Sequence, residues 1–362
     1  MPGIFSISLD FELHWGGFEK WKLEISNEEF RIKNDEVLSG LQSAVDSRKS
    51  AKVKGKEGTY NQYFLNTRKV IPQMLTLFQQ FKVRATWATV GLLFHEHRQQ
   101  LQQHLPAIKP AYQQQHLSAY HYIEHVGIGE DEAADPFHYA LSLIKLIQAT
   151  PGQEIGTHTF AHYYCNETGQ NTEQFRADLR AAQKAARAHG ITLTSLVFPR
   201  NQFNDAYLKV CEEEGIKTVR SNPAVWYWHI DTAKESIWKR INRGVDAYLP
   251  YGKSKSFVLN TIPLAADKPF CIPASRFLRP PHARAPWLNR LRIKRILAEM
   301  THAAQSGEVY HLWWHPHNFG AHPQQSMEEL TEILKHYQYL QQKFGMQSCS
   351  MQDLLELRES LD

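Results

Sequence analysis

The sequence has little cysteine, and its cysteines are not grouped. Only four occur in 362 residues, and no two of them form a Cys-x-x-Cys pair. This scatter disfavours both a thiolate zinc site and a disulfide framework, so we interpret the cysteines as reduced thiols of a cytoplasmic protein. The four residues are Cys165, Cys211, Cys271 and Cys349.

Long apolar runs and a strong excess of one charge are also missing. No run approaches the ~20 apolar residues of a membrane span. The first residues carry Asp10 and Glu12, whereas a signal peptide would begin with a basic region and a long apolar core. The net charge of +4 gives no case for a nucleic-acid-binding surface. We therefore expect a cytoplasmic protein with no transmembrane segment and no nucleic-acid partner.

Predicted strands and helices alternate along the chain. The first strand covers residues 4–9, and others are expected at 83–88, 154–157, 193–198, 216–220, 309–314 and 346–349. Helical patterns between them favour parallel strands joined by crossovers, and 362 residues suffice for one large α/β barrel. Periodicity alone does not distinguish a closed barrel from an open sheet.

Ionisable residues follow the first strand. Asp10 and Glu12 are two residues apart, so their side chains point to the same side of an extended chain. Two carboxylates this close repel each other, and a cation between them would relieve the repulsion. Solvated acids at a strand end are an equally good interpretation of this pair alone.

Two histidines follow the strand that ends near Thr157. His158 and His162 are four residues apart, a spacing that stacks two imidazoles on one face of a helical turn, as in metal sites. Two surface histidines on a turn are the alternative. Together with the two acids, the pair suits a divalent ion of the zinc, cobalt or nickel type.

Two later strand ends carry further candidates. Arg200, directly after the strand at 193–198, has the geometry to orient a carboxylate bidentately, although an ordinary loop arginine is the simpler interpretation. Its neighbour Asn201 is a candidate for substrate contact. His315 follows the strand at 309–314, and a histidine there is a candidate to protonate a leaving group. A histidine packed in an aromatic shell is the alternative for His315.

With these motifs the chain resembles the polysaccharide deacetylase family, also called carbohydrate esterase family four. The His-x3-His pair is the most specific match, because it fits the family's metal motif. The resemblance implies a distorted (β/α) barrel of about seven parallel strands with long loop insertions at the mouth. We expect one domain over residues 1–362 with insertions at about 16–65, 95–135 and 222–285. The matching segments are Ser8–Glu12, Ala85–Gly91, His158–His162, Phe198–Arg200 and Leu312–His315.

The resemblance also implies roles in the hydrolysis of an acetyl group. One divalent ion, Zn or else Co or Ni, would be held by an acid and two histidines. We assign Glu12, His158 and His162 as ligands. The catalytic set is then Asp10 as base, His315 as acid and Arg200. Phe11 stands where the family has a second aspartate, so the reverse assignment of Asp10 and Glu12 stays open, and His317 competes with His315.

The expected substrate is an acetylated amino sugar. Trp15 is a candidate for stacking on the sugar ring, as are Trp87, Trp313 and Trp314 unless they belong to the core. A cytoplasmic precursor of a surface polysaccharide would be linked to a nucleotide or to a lipid diphosphate. Arg276 and Arg279 are candidates for its phosphates, with His317 as a further substrate contact.

Other interpretations remain open. The basic cluster from Arg290 to Arg295 is either a solvated helix face or a surface for an anionic membrane. A related barrel hydrolase acting on a non-sugar amide is the alternative enzyme. A non-catalytic glycan-binding member is the alternative without turnover.

Overall fold

The computed structural model describes residues 1–23, 60–223, 225–228, 236–248 and 255–361. Its described strands form one sheet, and every ladder between two of them is parallel. The strands are β1 (Ile4–Phe11), β2 (Ala85–Thr89), β3 (Gln153–Thr157), β4 (Ser195–Val197), β5 (Thr218–Ser221), β6 (Phe270–Pro273), β7 (Arg276–Phe277), β8 (Val309–Trp314) and β9 (Gln347–Cys349).

Ten helices are described along the chain. They are α1 (Tyr60–Gln80), α2 (Arg98–His104), α3 (Ala119–His125), α4 (Leu141–Ala149), α5 (Thr172–Arg187), α6 (Asp205–Glu213), α7 (Ile237–Tyr248), α8 (Pro286–Ser306), α9 (Pro323–Phe344) and α10 (Met351–Glu359). None of the described helices is long and apolar enough to span a bilayer. Most of the insertion expected at about 16–65 lies outside the described residues, and the predicted domain boundaries stay a prediction.

Strand β1 lies near the centre of the sheet and organises it. The strand order is β6-β5-β4-β3-β2-β1-β8-β7, and β9 also pairs with β1. All eight residues of β1 are buried, as expected of a parallel strand covered on both faces. Leu9 is in register with Trp314 of β8 and Asp10 with Ala88 of β2. The end of β1 therefore lies between the ends of β2 and β8.

A single stretch of chain connects the two edges of the sheet. Strand β6 pairs with β5, and β7, three residues further on, pairs with β8. Between them Ala274 donates its N–H to the carbonyl of Ser221 (2.9 Å), and Ser275 donates to the carbonyl of His311 (2.8 Å). The predicted distorted barrel of parallel strands is confirmed. We call residues 270–277, from β6 to β7, the closing segment. It lies inside the expected insertion at 222–285 and supplies two short strands, so the described strands outnumber the expected seven.

Arg276 fixes the closing segment to helix α8. Its buried guanidinium donates to both carboxylate oxygens of Glu299 (2.7 and 2.6 Å) and to the carbonyl of Asp246 (2.9 Å). Tyr310 donates its hydroxyl to the same Glu299 carboxylate (3.0 Å). These contacts correct the prediction that Arg276 binds phosphate, because its guanidinium is buried and already paired with the carboxylate of Glu299.

We expect Glu299→Gln to lower the free energy of unfolding by about 3–5 kcal/mol, because it leaves the buried charge of Arg276 without its main partner. Urea denaturation measures the change. Glu328→Gln on the exposed side of α9 is the matched control and should change the free energy by less than about 0.5 kcal/mol. Equal stability of the two variants would show that the Arg276–Glu299 pair does not hold the closing segment.

Candidate metal centre and active site

Glu12, His158 and His162 converge beyond the ends of β1 and β3. Oε2 of Glu12 lies 3.1 Å from Nε2 of His158 and 3.0 Å from Nε2 of His162. All three residues are at most 3% exposed. These three side chains could hold a metal ion, because their ligand atoms lie within 4.8 Å of one another. Among the described residues, no other group of three or more histidine, cysteine, aspartate or glutamate side chains meets this criterion.

The donor set fits a divalent ion. Donor atoms around a tetrahedral zinc ion lie about 3.4 Å apart, close to the separations at this site. Oε2 of Glu12 is buried without a hydrogen bond among the described residues, so it is available as a ligand. Burial opposes ionisation of Glu12, but His315, His158 and His162 hold the pKa of this carboxyl well below its usual value.

His162 has the matching protonation state. Burial is the main factor that lowers the pKa of His162, which favours the neutral imidazole. Nδ1 of His162 lies 3.0 Å from the hydroxyl of Tyr164, a contact that orients the ring and leaves Nε2 facing Glu12. Metal ions bind ionised carboxylates and neutral imidazoles, so Glu12 and His162 are in their ligand forms.

The loop that carries the two histidines is not the helical turn that their spacing suggested. Thr159 (φ 65°) and His162 (φ 54°) are both in the left-handed region, which non-glycine residues seldom occupy. The two imidazoles still meet, with ring centroids 5.1 Å apart. The spacing therefore identified the pair, but an irregular loop positions it.

Asp178 on α5 stabilises this loop from below. One carboxylate oxygen accepts the N–H of Phe160 (2.6 Å), and the other accepts the N–H of Ala161 (3.2 Å) and the hydroxyl of Tyr120 (3.1 Å). Burial raises the pKa of Asp178 to about 7 in spite of these bonds. Sequence reasoning missed this residue, because a lone aspartate in a helix carries no motif.

Asp10 is held by an arginine that the sequence analysis did not select. Arg220 on β5 donates to both carboxylate oxygens of Asp10 (2.6 and 2.8 Å) and to the hydroxyl of Ser8 (3.1 Å). Burial of Asp10 favours its neutral form, but Arg220, His158 and His315 together outweigh burial and lower the pKa of this carboxyl. The available signal was the position of Arg220 near the end of a strand, as for the other site residues.

Arg200 does not take the place predicted for it. Its guanidinium binds Glu19, lies 3.7 Å from Glu167 and stacks over the ring of Tyr164 at 3.9 Å. Its neighbour Asn201 accepts a bond from Arg220 (3.1 Å), so Asn201 supports the arginine that orients Asp10. The predicted contact of Arg200 with a catalytic carboxylate is corrected to Arg220, because the side chain of Arg220 reaches from β5 to Asp10.

His315 and His317 both reach the carboxylates. Nε2 of His315 lies 3.6 Å from Asp10 and 3.6 Å from Glu12, and its side chain is 24% exposed. Nδ1 of His317 also lies 3.6 Å from Glu12, but its side chain is only 5% exposed. Burial and the neighbouring His315 lower the pKa of His317 to about 3. His315 is therefore the imidazole at the accessible side.

The tryptophans lie deeper than a sugar-stacking role requires. Trp15, Trp87 and Trp314 are fully buried, and Trp15 donates its indole N–H to the carbonyl of His138 (3.1 Å). This corrects the prediction that Trp15 stacks on a sugar, because its ring belongs to the core. Trp313 is 5% exposed and has its ring under the guanidinium of Arg220 (4.1 Å), so it supports the site.

Arg279 is the remaining phosphate candidate. It donates to the carbonyl of Arg243 (3.1 Å), and burial lowers its pKa, with Arg243, Arg276 and Arg292 adding to the effect. It follows Phe277, whose ring lies 5.6 Å from that of His315. Arg279 is thus close in sequence to the mouth of the site and sits among positive charges.

We expect Asp178→Asn to remove a pH dependence of stability between about pH 4 and 7. The pKa of Asp178 is raised in the folded state, so its contribution is fully present below the unfolded pKa of about 3.9 and is lost as pH rises towards 7. Urea unfolding at pH 5 and pH 8 measures the loss. The wild type should lose more stability between these pH values than the variant, and an equal loss would contradict the assignment.

Comparisons with known proteins agree with this geometry. The polysaccharide deacetylase family model matches residues 59–219, a segment that contains both histidines of the cluster but neither acid. No match is found among curated proteins.

Three solved structures illustrate the likeness of fold. A putative polysaccharide deacetylase from Mycobacterium smegmatis is 14% identical with a TM-score of 0.53, and the match covers 100% of this chain and 92% of that one. A probable polysaccharide deacetylase from Pseudomonas aeruginosa PAO1 is 13% identical with a TM-score of 0.51, covering 98% and 89%. The Puue allantoinase is 13% identical with a TM-score of 0.51, covering 99% and 90%. At these identities the structures show the fold alone.

Proposed function

The chain is related to the polysaccharide deacetylases, and from this premise we propose that it is a metal-dependent hydrolase that removes an acetyl group from an N-acetylated sugar. One observation carries the proposal. Glu12, His158 and His162 form a buried ligand set, and Asp10 and His315 lie beside it at the same end of the barrel. Metal-dependent hydrolysis of an amide requires metal ligands, a general base and a general acid.

Glu12, His158 and His162 would hold one divalent ion, for which zinc is the first candidate and cobalt or nickel the others. When bound, the ion supplies Lewis-acid polarisation of the acetyl carbonyl. Gly16 makes room for the Glu12 carboxylate, because a Cβ at position 16 would lie 2.0 Å from Oε1 of Glu12. A larger residue there would displace the carboxylate.

Asp10 is proposed as the general base that takes a proton from the attacking water. Arg220 fixes its carboxylate from one side through two hydrogen bonds and keeps it ionised. The same two bonds prevent the carboxylate from rotating towards its neighbours. Glu12 is better suited to be the ligand than Asp10, since its Oε2 faces both imidazoles.

His315 is proposed as the general acid that protonates the departing amine. It is the more exposed of the two histidines after β8, and its Nε2 faces both carboxylates. Its other ring nitrogen lies 3.4 Å from the side-chain amide of Asn318. Arg200 is not placed for a direct part in proton transfer, and we propose that it positions Tyr164 behind His162.

We further propose that the substrate is a phosphorylated precursor of a surface polysaccharide, processed in the cytoplasm. The four cysteines are free thiols, as in proteins of a reducing compartment. Arg279, two residues after Phe277, whose ring lies 5.6 Å from that of His315, is the remaining candidate for contact with a nucleotide- or lipid-linked diphosphate.

A non-sugar amide is the second candidate substrate. The observation in its favour is the similar fold of the Puue allantoinase, which comes with a TM-score as high as that of one of the deacetylases. A glycan-binding protein without turnover is less well supported, since the three residues proposed as ligands lie beside the two proposed as proton-transfer groups.

We expect His158→Ala and His162→Ala to lose bound metal, because each removes one of three protein ligands. Metal content after dialysis, measured by plasma mass spectrometry, should fall to a small fraction of one equivalent. His125→Ala, which changes an exposed histidine on α3, is the matched control and should retain the wild-type content. If both site variants keep a full equivalent, the ligand assignment is wrong.

We expect Asp10→Asn and His315→Ala each to lower kcat/KM by about 10²–10⁴-fold while metal content stays near that of the wild type. Acetate release is measured with a free N-acetylated hexosamine, its nucleotide-diphosphate form and its lipid-diphosphate form, and allantoin hydrolysis is followed in parallel. A near-normal His315→Ala beside an inactive His317→Ala would move the acid role to His317. Turnover of allantoin alone would contradict the sugar proposal.

A further inference from the structure

Helix α7 presents its apolar side to solvent. Ile237, Ile241 and Val245 recur every four residues and are 67%, 46% and 39% exposed, and Trp238 on the same side is 67% exposed. Residues four apart lie on one face of a helix, so these side chains form a continuous exposed apolar strip. A helix packed on a protein surface ordinarily turns such a strip inwards.

The opposite side of α7 is the buried one, and it is polar. Asp246 is 2% exposed and binds Lys255, while its carboxylate lies 3.3 Å from Arg295 and 3.6 Å from Arg276. Ala247 beside it is 5% exposed. These buried ion pairs fix the rotation of the helix about its axis, so the outward direction of the apolar strip is built into the packing.

Helix α8, which α7 contacts, adds an exposed tryptophan among cations. Trp287 in its first turn is 65% exposed, and Arg290 and Lys294 follow at positions three and seven residues later, both exposed. The sequence from residue 276 to residue 298 contains no acidic residue. Apolar and tryptophan side chains on a basic surface are the features of protein segments that lie in the interface of an anionic bilayer.

We propose that the apolar strip of α7, together with Trp287, docks into the interfacial region of an anionic lipid bilayer. The positive charge of this surface favours an anionic bilayer over a second copy of the chain as the docking partner. A two-fold dimer through this face would bring two surfaces of the same positive sign together, whereas anionic headgroups neutralise them. The docking goes beyond the proposed reaction and does not depend on it.

Ring contacts connect this face to the mouth of the barrel. Arg243 of α7 lies over the ring of Trp228 (5.4 Å), Trp228 contacts Trp313 (6.3 Å between centroids), and Trp313 contacts His315 (5.7 Å). A lipid-linked substrate would therefore approach the site from the docked side. This consequence alone rests on the proposed function.

The test is sedimentation of the full chain with vesicles, using equimolar phosphatidylcholine and phosphatidylglycerol or phosphatidylcholine alone. We expect binding to the anionic vesicles, weaker binding to the neutral ones, and a decrease with added salt. The double variant Trp238→Glu, Ile241→Glu should bind at least about tenfold more weakly, because it removes apolar area and adds negative charge. Leu146→Glu, at an exposed apolar residue of α4, is the matched control and should bind like the wild type.

Two results would overturn the docking. One is a wild type that stays in the supernatant with both kinds of vesicle, or a double variant that binds as well as the wild type. The other is a wild-type dimer by light scattering that the double variant converts to monomer without any vesicle binding. Acetate release from a free sugar should be unchanged in the double variant, so loss of docking and loss of the proposed activity are separately measured.

Discussion

Two carboxylates buried side by side at the end of the central strand determine the arrangement of the site. Asp10 and Glu12 are each 3% exposed, and neither charge would be tolerated there without positive partners. The surrounding strands supply different partners to each. Arg220 from β5 neutralises Asp10, while β3 and its loop direct two imidazoles to Glu12. This division gives the two acids different roles, because one is paired within the protein and the other retains an unpaired oxygen.

The loops around these acids have unusual backbone geometry. Thr159, His162, Arg200 and Asn201 all have positive φ angles between 53° and 65°, and all lie just beyond β3 or β4. Such conformations cost free energy and persist only where the surroundings enforce them. Here the enforcing contacts are specific, since Asp178 binds the amides of the β3 loop and Arg220 binds the side chain of Asn201. The core of the barrel thus maintains loop shapes that the local sequence would not adopt alone.

Sequence reasoning reached the barrel and the residues whose motif is local. Alternation of strands and helices, the His158–His162 spacing and the Asp10–Glu12 pair depend on neighbours in the chain. The contacts that the sequence analysis missed join residues that are not neighbours in the chain. Arg220 meets Asp10 across 210 residues, and Arg276 meets Glu299 only after the closing segment crosses to β8. Burial likewise could not be inferred for Trp15, because an aromatic residue at a strand end suits both a mouth and a core.

The position of β1 also affects how the chain is made. Strand β1 pairs with β8, which is synthesised about 300 residues later, and Ile4 is in register with Val309. At ribosomal speeds of ~5–20 residues per second, about 300 intervening residues take roughly 15–60 s to appear. During that time one edge of a fully buried strand has no permanent neighbour. The nascent chain therefore depends on temporary cover, from its own helices or from a chaperone, until its last third emerges.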